Sequence, residues 1–293
     1  MNILAVGDIV GQVGVDAYCK NISKLKEEYN IDFTIVNGEN SERGSGINKQ
    51  IFNDLRAHGA DVITMGNHTW GKKDIFSFID DEPMLIRPAN YAEDLCGNSY
   101  YVYEHPTLGK KIGVIDLIGR VDMGGSFDCP FKKADLIIEA LKEEGTDIIV
   151  VEFHAEATAE KVALGYYLKD KATIVYGTHT HIQTNDDMIY DSGMGYITDI
   201  GMTGPKESVI GMDRNAALKR FLTQIPERYQ VAEGPAMLNA VVFEIDDNTN
   251  KVTKITKIRV WLHKYYKIIK KRLTFYISLW YNSLSLEIHL EAQ

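Results

Sequence analysis

The stretch Asp61-Val-Ile-Thr-Met-Gly-Asn-His68 ends a short apolar run with a glycine, an amide and an imidazole. An apolar run of this length, closed by glycine, predicts a buried β-strand. In an open α/β sheet, ligands bind outside the carboxyl ends of the strands. Asn67 and His68 are therefore predicted to be delivered to a functional site by the strand before them.

Four other predicted strands end in the same kind of chemistry. Each apolar run is followed by a carboxylate, an amide or an imidazole: Asp8 after 3–6, Glu39 and Asn40 after 33–36, His154 after 148–151, and His179 and His181 after 173–176. Taken singly, these residues have plainer interpretations, as a helix-start carboxylate, a turn-forming amide or a hydrogen-bonded core histidine. Five strand ends of this kind in one chain indicate a metal site instead.

Helices are expected between these strands. Apolar periodicity predicts five of them, over residues 13–29, 48–58, 72–79, 134–144 and 158–169. Further strand predictions are a core strand at 111–118, an edge strand near 100–103, and hairpins over 188–200 and 237–260. Alternating strands and helices of this kind predict an α/β fold.

Composition limits the possible partners and compartment. The chain has 293 residues, 45% of them hydrophobic, and a formal net charge of −9. An acidic chain lacks the basic face that stable DNA binding requires. Three widely spaced cysteines, together with an N-terminus that lacks the build of a signal peptide, favour a reducing cytoplasm. There is no apolar run of about 18 residues, so a transmembrane segment is not expected.

Residues 261–293 differ from the acidic body because they are cationic and aromatic. One interpretation is an amphipathic segment that makes peripheral contact with an anionic membrane or a partner. The plainer interpretation is an extension that adds nothing to the site. We favour the second, since the strand-end chemistry is complete by residue 181, and we treat 1–260 as the functional domain.

The candidate ligands suit two metal ions. Mn, Fe and Zn accept mixed imidazole, carboxylate and carbonyl-oxygen ligands, and a pair of such ions clamps the attacking and leaving oxygens of a phosphoryl displacement. Seven side chains are too many for one tetrahedral ion. His179 and His181 flank Thr180, so an extended segment would turn both rings to one side, where they could bind neighbouring ions. Arg43 and Arg120 follow strands and could contact phosphate, although solvated surface arginines are the plainer interpretation.

These motifs resemble those of the calcineurin-like metallophosphoesterases. The resemblance rests on Gly66-Asn-His68, the isolated His154 and Gly177-Thr-His-Thr-His181. Two departures narrow it: the usual Asp-x-His is Asp8-Ile-Val10, and the usual Gly-Asp-x-x-Asp begins here as Gly38-Glu39-Asn40. Both are features of the bacterial YmdB-type cyclic-nucleotide phosphodiesterase branch. The segments 37–40, 198–205 and 208–212 are also similar to that branch, and the resemblance covers about residues 1–260.

The resemblance implies a fold, a ligand set and an activity. The implied fold is the αββα four-layer sandwich. One ion would be held by Asp8, Glu39, Asn40 and His181, and the second by Glu39, Asn67, His154 and His179, with Glu39 bridging. His68 would be the general acid. The implied metal is iron or manganese, and the implied reaction is hydrolysis of small cyclic nucleotides of the 2′,3′-cyclic AMP type by a hydroxide held on the metals.

Two other functions stay open at this point. The same metal geometry serves phosphomonoesterases and nucleotidases. A metal-dependent regulatory protein could bind a nucleotide without turnover. The sequence does not determine the oligomeric state, and a homo-oligomer is one of the open alternatives.

Overall fold

Two β-sheets form the centre of the structure, a computed structural model that describes residues 1–262. The strands are β1 (Asn2–Val6), β2 (Asp8–Ile9), β3 (Phe33–Asn37), β4 (Val62–Thr64), β5 (Leu85–Ile86), β6 (Tyr100–Glu104), β7 (Lys111–Ile118), β8 (Ile148–His154), β9 (Ile174–Thr178), β10 (Met188–Ile189), β11 (Gly195–Ile197), β12 (Met202–Pro205), β13 (Ala236–Ile245) and β14 (Val252–Leu262). The α-helices are α1 (Gly11–Glu28), α2 (Lys49–Ala57), α3 (Pro130–Glu143), α4 (Thr158–Leu168) and α5 (Arg214–Thr223).

The strands that precede the predicted ligands run parallel to one another within each sheet. The first sheet has the order β2-β12-β13-β1-β3-β4-β5, with β14 also paired to β13, and its β1, β3, β4 and β5 are parallel. The second has the order β10-β11-β9-β8-β7-β6, and its β7, β8, β9 and β11 are parallel. The carboxyl ends of the parallel strands in each sheet therefore lie at a common edge.

Alternation along the strands produces four layers. In β1, Ile3 packs in the core between the two sheets, whereas Leu4 packs in the core that α1 and α2 cover. In β8, Val150 faces the sheet-to-sheet core and Val151 faces the core covered by α3 and α4. Because successive side chains point to opposite faces of a strand, each sheet joins two cores. The predicted αββα four-layer sandwich is confirmed.

The predicted helix at 48–58 corresponds closely to α2. The side chain of Asn48 caps it by accepting a hydrogen bond from Ile51 N at 2.8 Å. The prediction of a helix at 72–79 is wrong, because this segment forms two short 3₁₀ helices, Lys73–Ser77 and Ile79–Asp81. Inside the first, Ser77 Oγ donates to Asp74 O, a local side-chain bond that competes with regular helix.

Helix α5 was absent from the sequence prediction. Asp213 caps it by accepting from Asn215 N and Ala216 N. Its apolar residues Phe221 and Leu222 are exposed, so the helix has no continuous core face for a periodicity argument to detect.

Strand β14 spans the position proposed as the domain boundary. Strand β14 continues to Leu262, so the boundary proposed at 260 falls inside a strand. Most of the cationic and aromatic extension, from 263 onward, lies outside the described residues, as do His263 and His289. Within residues 1–262, no helix has both the length and the apolarity needed to cross a bilayer. Cys19, Cys96 and Cys129 are all free.

Candidate dinuclear metal centre

The seven predicted metal ligands come from strand ends in both sheets. The first sheet supplies Asp8, Glu39, Asn40 and Asn67, and the second supplies His154, His179 and His181. Each lies at the start of a strand or bend, at the carboxyl end of a strand, or just after it. The structure brings all seven together, in two groups that share Glu39.

The first group surrounds one ring nitrogen of His154. His154 Nε2 lies 2.8 Å from Asn67 Oδ1, 3.1 Å from Glu39 Oε1 and 3.0 Å from His179 Nδ1. These ligand atoms lie close enough together for one cation to bind the Glu39, His154 and His179 side chains at once. They belong to the residues assigned to the second ion.

The second group lies on the other side of Glu39. Asn40 Nδ2 is 3.1 Å from Glu39 Oε1 and 3.2 Å from His181 Nε2, and Asp8 Oδ1 is 3.9 Å from the same His181 nitrogen. Glu39 Oε1 therefore contacts both groups. This is the place that a bridging carboxylate occupies in a two-metal site.

The far side of the His154 ring fixes which nitrogen carries the proton. His154 Nδ1 lies 3.0 Å from Thr178 Oγ1, and that hydroxyl donates its only hydrogen to Glu152 Oε1 at 2.8 Å. Thr178 can then only accept from His154, so Nδ1 is protonated and Nε2 presents a lone pair to the site.

Glu152 fixes the orientation of the Thr178 hydroxyl. It is fully buried between the sheets and accepts four hydrogen bonds. The donors are Asn37 Nδ2 at 2.6 Å, Thr64 Oγ1 at 2.6 Å, Tyr176 OH at 2.8 Å and Thr178 Oγ1. With every donor committed, the Thr178 hydroxyl has no freedom to reverse its hydrogen bond.

The other two histidines are oriented in the same way. His179 Nε2 lies 3.1 Å from Glu156 Oε2, and His181 Nδ1 lies 2.8 Å from Ile210 O. The Ile210 carbonyl and the ionised Glu156 carboxylate can only accept hydrogen bonds. His181 Nδ1 and His179 Nε2 therefore carry the protons, and the opposite ring nitrogens face the site as lone pairs. The lone pairs of His154 Nε2, His179 Nδ1, Glu39 Oε1 and Asn67 Oδ1 converge and repel one another unless a cation lies between them. The donor set therefore fits metal ions.

Asp8 gives an independent indication that a cation binds at this site. Its Oδ1 atom is buried and has no hydrogen-bond partner among the described residues. A buried carboxylate oxygen without a donor is costly. Coordination to a cation would satisfy it.

Burial and neighbouring charges shift the pKa values of four candidate ligands. Burial lowers the pKa of His154, but Glu39 and Asp8 outweigh it and raise that pKa. Burial raises the pKa of Asp8 to about 6. Burial also raises the pKa of Glu39, but His154 and His68, when their rings are protonated, outweigh it and lower that pKa to about 2. Burial and the adjacent His154 lower the pKa of His179 to about 3. At neutral pH both carboxyl groups are ionised and His179 is neutral.

The segment that carries His179 and His181 is not extended. Both residues have left-handed backbone conformations, with φ of 93° and 66°, so the expectation of an extended segment with two rings on one side is wrong. A bend turns His179 toward His154 and His181 toward Asn40. A conformation this unfavourable for residues other than glycine persists only where its surroundings hold it.

The bend is held by a buried ion pair. Lys161, from α4, donates from Nζ to Thr178 O at 2.6 Å and to Asp199 Oδ2 at 2.7 Å. Asp199 also accepts from Thr180 N at 3.1 Å and Thr180 Oγ1 at 2.7 Å. The two members of the ion pair therefore form hydrogen bonds to the residues on either side of His179.

Gly66 allows the two sheets to approach at the site. A Cβ at this position would lie 2.4 Å from Glu39 Oε2 and 2.5 Å from the His154 ring. Real Cβ atoms do not approach other atoms so closely, so glycine is required. The glycine of the sequence motif therefore serves close packing beneath the ligands.

His68 lies beside the metal ligands and lines an open cleft of about 1060 Å³. Its backbone N donates to Glu39 Oε2 at 2.8 Å, and its Nδ1 lies 3.3 Å from Ser45 Oγ. Arg43 also lines this cleft. Arg120 is exposed and is not part of the cleft wall in the described region of the chain.

Several residues that shape the site were not predicted from the sequence: Glu152, Glu156, Lys161, Thr178 and Asp199. Glu156 and Thr178 lie within two residues of predicted ligands, so proximity to a strand end could have indicated them. Asp199 lies in the segment 198–205 that resembles the family, although that resemblance assigned it no role. Lys161 carries no local signal, because a lysine inside a helix normally faces solvent.

Comparison with known proteins identifies the family. Residues 4–258 match the family described as YmdB-like protein. The chain belongs to the YmdB-like family. This member is 50% identical over 262 residues to the 2′,3′-cyclic-nucleotide 2′-phosphodiesterase of Bacillus subtilis, with 89% of this chain and 97% of the relative covered.

Solved structures support membership of the YmdB-like family. A phosphatase from Mycoplasma pneumoniae superposes with a TM-score of 0.84 at 34% identity, covering 90% of this chain and 94% of that one. A hypothetical protein from Thermus thermophilus superposes with a TM-score of 0.83 at 33% identity, covering 89% of this chain and 100% of that one. The fold and the family expected from the motifs are both confirmed.

Proposed function

We propose that this protein is a dinuclear metal-dependent phosphodiesterase that hydrolyses small cyclic nucleotides of the 2′,3′-cyclic AMP type. The observation that carries the proposal is the orientation of three histidines around Glu39. Each ring donates one N–H to an acceptor outside the site and turns its other nitrogen toward the site. His154 Nε2 faces Glu39 Oε1 and Asn67 Oδ1, His179 Nδ1 faces His154 Nε2, and His181 Nε2 faces the Asn40 amide. The substrate class follows the printed activity of the Bacillus subtilis relative.

The ligands divide between two ions as follows. We assign Asp8, Glu39, Asn40 and His181 to one ion, and Glu39, Asn67, His154 and His179 to the other. Iron or manganese suits this mixture of imidazole, carboxylate and amide oxygen. When bound, two such ions lower the pKa of water and neutralise charge on a phosphoryl group.

His68 is proposed as the general acid that protonates the leaving ribose oxygen. It lines the cleft next to the ligands, and its backbone N–H to Glu39 fixes the distance between this residue and the metal centre. Ser45 Oγ at 3.3 Å from Nδ1 restricts rotation of the ring. General acid catalysis of this kind contributes about 10²–10⁴-fold to rate.

Free cysteines fit a reducing compartment, and we propose a cytoplasmic location. The proposed small-molecule substrate is compatible with that location. The acidic surface, with net charge −9, gives no basis for stable DNA binding.

The decisive experiment measures 2′,3′-cyclic AMP hydrolysis by anaerobically purified protein, with metal content determined on the same sample. We expect turnover with about two metals per chain. Glu39→Ala is expected to lose both, whereas Glu27→Ala, at an exposed position on α1, retains both. A fully metallated protein that leaves cyclic AMP untouched would refute the substrate assignment.

Two comparisons separate the alternative functions. Faster turnover of p-nitrophenyl phosphate than of bis-p-nitrophenyl phosphate would favour a monoesterase. A nucleotide recovered unhydrolysed from metal-loaded protein would favour a binding protein. For His68→Ala we expect turnover to fall by about 10²–10⁴-fold with metal content unchanged, and for the exposed His58→Ala neither to change. Loss of metal from His68→Ala would make His68 a ligand instead.

A further inference from the structure

The cleft beside the metal centre has an aromatic wall that the proposed chemistry does not use. Tyr229 lines the cleft, and 40% of its surface is exposed. Phosphoryl chemistry at the metals needs no phenol, and burial raises the pKa of Tyr229 to about 12, so the group is neutral. An exposed, neutral ring next to a nucleotide-sized site is a surface on which a base can stack.

The ring is held in a fixed place. A Cβ at Gly44 would lie 2.4 Å from Tyr229 Cε1, and one at Gly211 would lie 3.0 Å from the phenol oxygen. Both glycines have positive φ, 85° and 98°. The ring therefore packs directly on two backbone segments that only glycine allows to come so close. A side chain positioned in advance loses little entropy when a ligand stacks on it.

The backbone that carries Tyr229 is also fixed. Asp213 N donates to Gln230 O at 2.8 Å, and Ala232 N donates to Gly211 O at 2.9 Å. Met212 and Val231 form an antiparallel bridge between them. The 230–232 segment, which follows Tyr229 directly, is therefore paired with the 211–213 segment.

The same two glycine segments are tied to metal ligands. Gly44 N donates to the backbone oxygen of Asn40 at 3.0 Å, and His181 Nδ1 binds the backbone oxygen of Ile210, the neighbour of Gly211. The Tyr229 ring therefore packs on two segments, at Gly44 and Gly211, that are hydrogen-bonded to Asn40 and His181 respectively, on one side of the centre. In a 2′,3′-cyclic nucleotide the base is on C1′, next to the carbon that carries the phosphate. When the phosphate lies at the metals, the base therefore lies one ribose away from them.

We propose that Tyr229 is the base-stacking residue of this cleft and determines the preference for nucleoside substrates over phosphodiesters without a base. The inference rests on the proposed function and deepens it. Because stacking increases with ring area, a purine is preferred to a pyrimidine. The phenol oxygen is not required, because stacking uses the face of the ring.

Binding tests the inference without relying on turnover. Calorimetric titration of the metal-loaded protein with adenosine 3′-monophosphate and with ribose 3-phosphate compares the same phosphate with and without a base. We expect wild-type protein to bind the nucleotide about 10-fold or more tightly, as stacking allows, and Tyr229→Ala to lose that difference while binding ribose 3-phosphate normally. Tyr229→Phe retains the difference. Tyr229→Leu, which keeps apolar bulk against the glycines, loses most of it.

Two results would overturn the inference. One is equal affinity of wild-type protein for both ligands, which means that no base reaches the ring. The other is an equal loss of affinity for both ligands in Tyr229→Ala and Tyr229→Leu, which makes Tyr229 a support for the metal loops. Hydrolysis of 2′,3′-cyclic AMP by the wild-type protein is measured separately, so failure of the proposed function is distinguishable from failure of the stacking assignment.

Discussion

The buried ion pair between Lys161 and Asp199 predicts a coupling between stability and metal affinity. Both side chains are almost completely inaccessible, with 1% and 0% of their surfaces exposed. Lys161→Met leaves the Asp199 carboxylate buried without its cation, and Asp199→Asn leaves the Lys161 ammonium without its anion. Removing one partner from a buried pair costs about 3–5 kcal/mol of unfolding free energy.

The local contacts determine where that cost is felt. Lys161 holds Thr178 O, and Asp199 holds both the backbone N–H and the hydroxyl of Thr180. These contacts enclose His179, whose φ of 93° is unfavourable without them. Loosening the support of a metal ligand typically lowers metal affinity by about 10–100-fold. We expect both single variants to show this loss as well as reduced stability.

The assay combines urea unfolding of chelator-treated protein with calorimetric titration of Mn²⁺. Metal-free protein is needed for the first measurement, because bound metal adds to the apparent stability. The double variant Lys161→Met/Asp199→Asn leaves no uncompensated charge, so we expect it to be less destabilised than the sum of the singles. Lys171→Met removes a half-exposed pair with Asp135 and serves as the matched control, with a cost of about 1 kcal/mol or less.

Two results would contradict this coupling between stability and metal affinity. Additive single effects in the double variant would show that the two charges do not interact in the folded protein. Single variants that lose stability but bind Mn²⁺ with wild-type affinity would show that the bend at His179 does not depend on the ion pair.

Three further predictions concern other supports of the site. Thr178→Val removes the acceptor for His154 Nδ1, so we expect metal affinity to fall by about 10–100-fold by calorimetry, with Thr178→Ser near wild type. Gly66→Ala places a Cβ against Glu39 and His154, so metal content measured after purification is expected to fall to near zero. Burial raises the pKa of Asp116 well above its usual range, so its stabilising contribution is complete below about pH 4 and is lost as pH rises from there toward the raised pKa. Asp116→Asn has no such loss, so the Tm of the variant relative to wild type is expected to rise as pH increases above about 4; a difference that is flat with pH would contradict this.

The strand framework was predictable because burial constrains strand composition. The runs before Asp8, Glu39, Asn67 and His154 are almost wholly apolar, as strands between two packed layers must be. The division of those strands between two sheets could not be derived from the runs themselves. It came from the family resemblance, since a parallel strand buried on both faces gives no sign of which sheet it joins.

The candidate ligand positions could be proposed from the sequence for a different reason. Imidazoles and amides at strand ends are rarely needed for packing, so Asn67 and His179 stood out from their surroundings. The path of the backbone between His179 and His181 did not, because left-handed φ at a histidine is imposed by Lys161 and Asp199 from elsewhere in the chain. Tertiary contacts of this kind override local preference and leave no mark on nearby sequence.

The proposed ligands come from both sheets, and this has a consequence for the lifetime of the protein in a cell. Asn67 and His154 belong to different sheets and are separated by 87 positions in the chain. A bound ion would link the two sheets, so separation of the sheets would require release of the ion. Metal scarcity would then increase the population of opened chains and expose them to proteases. The abundance of the enzyme, and not only its activity, would follow the supply of metal.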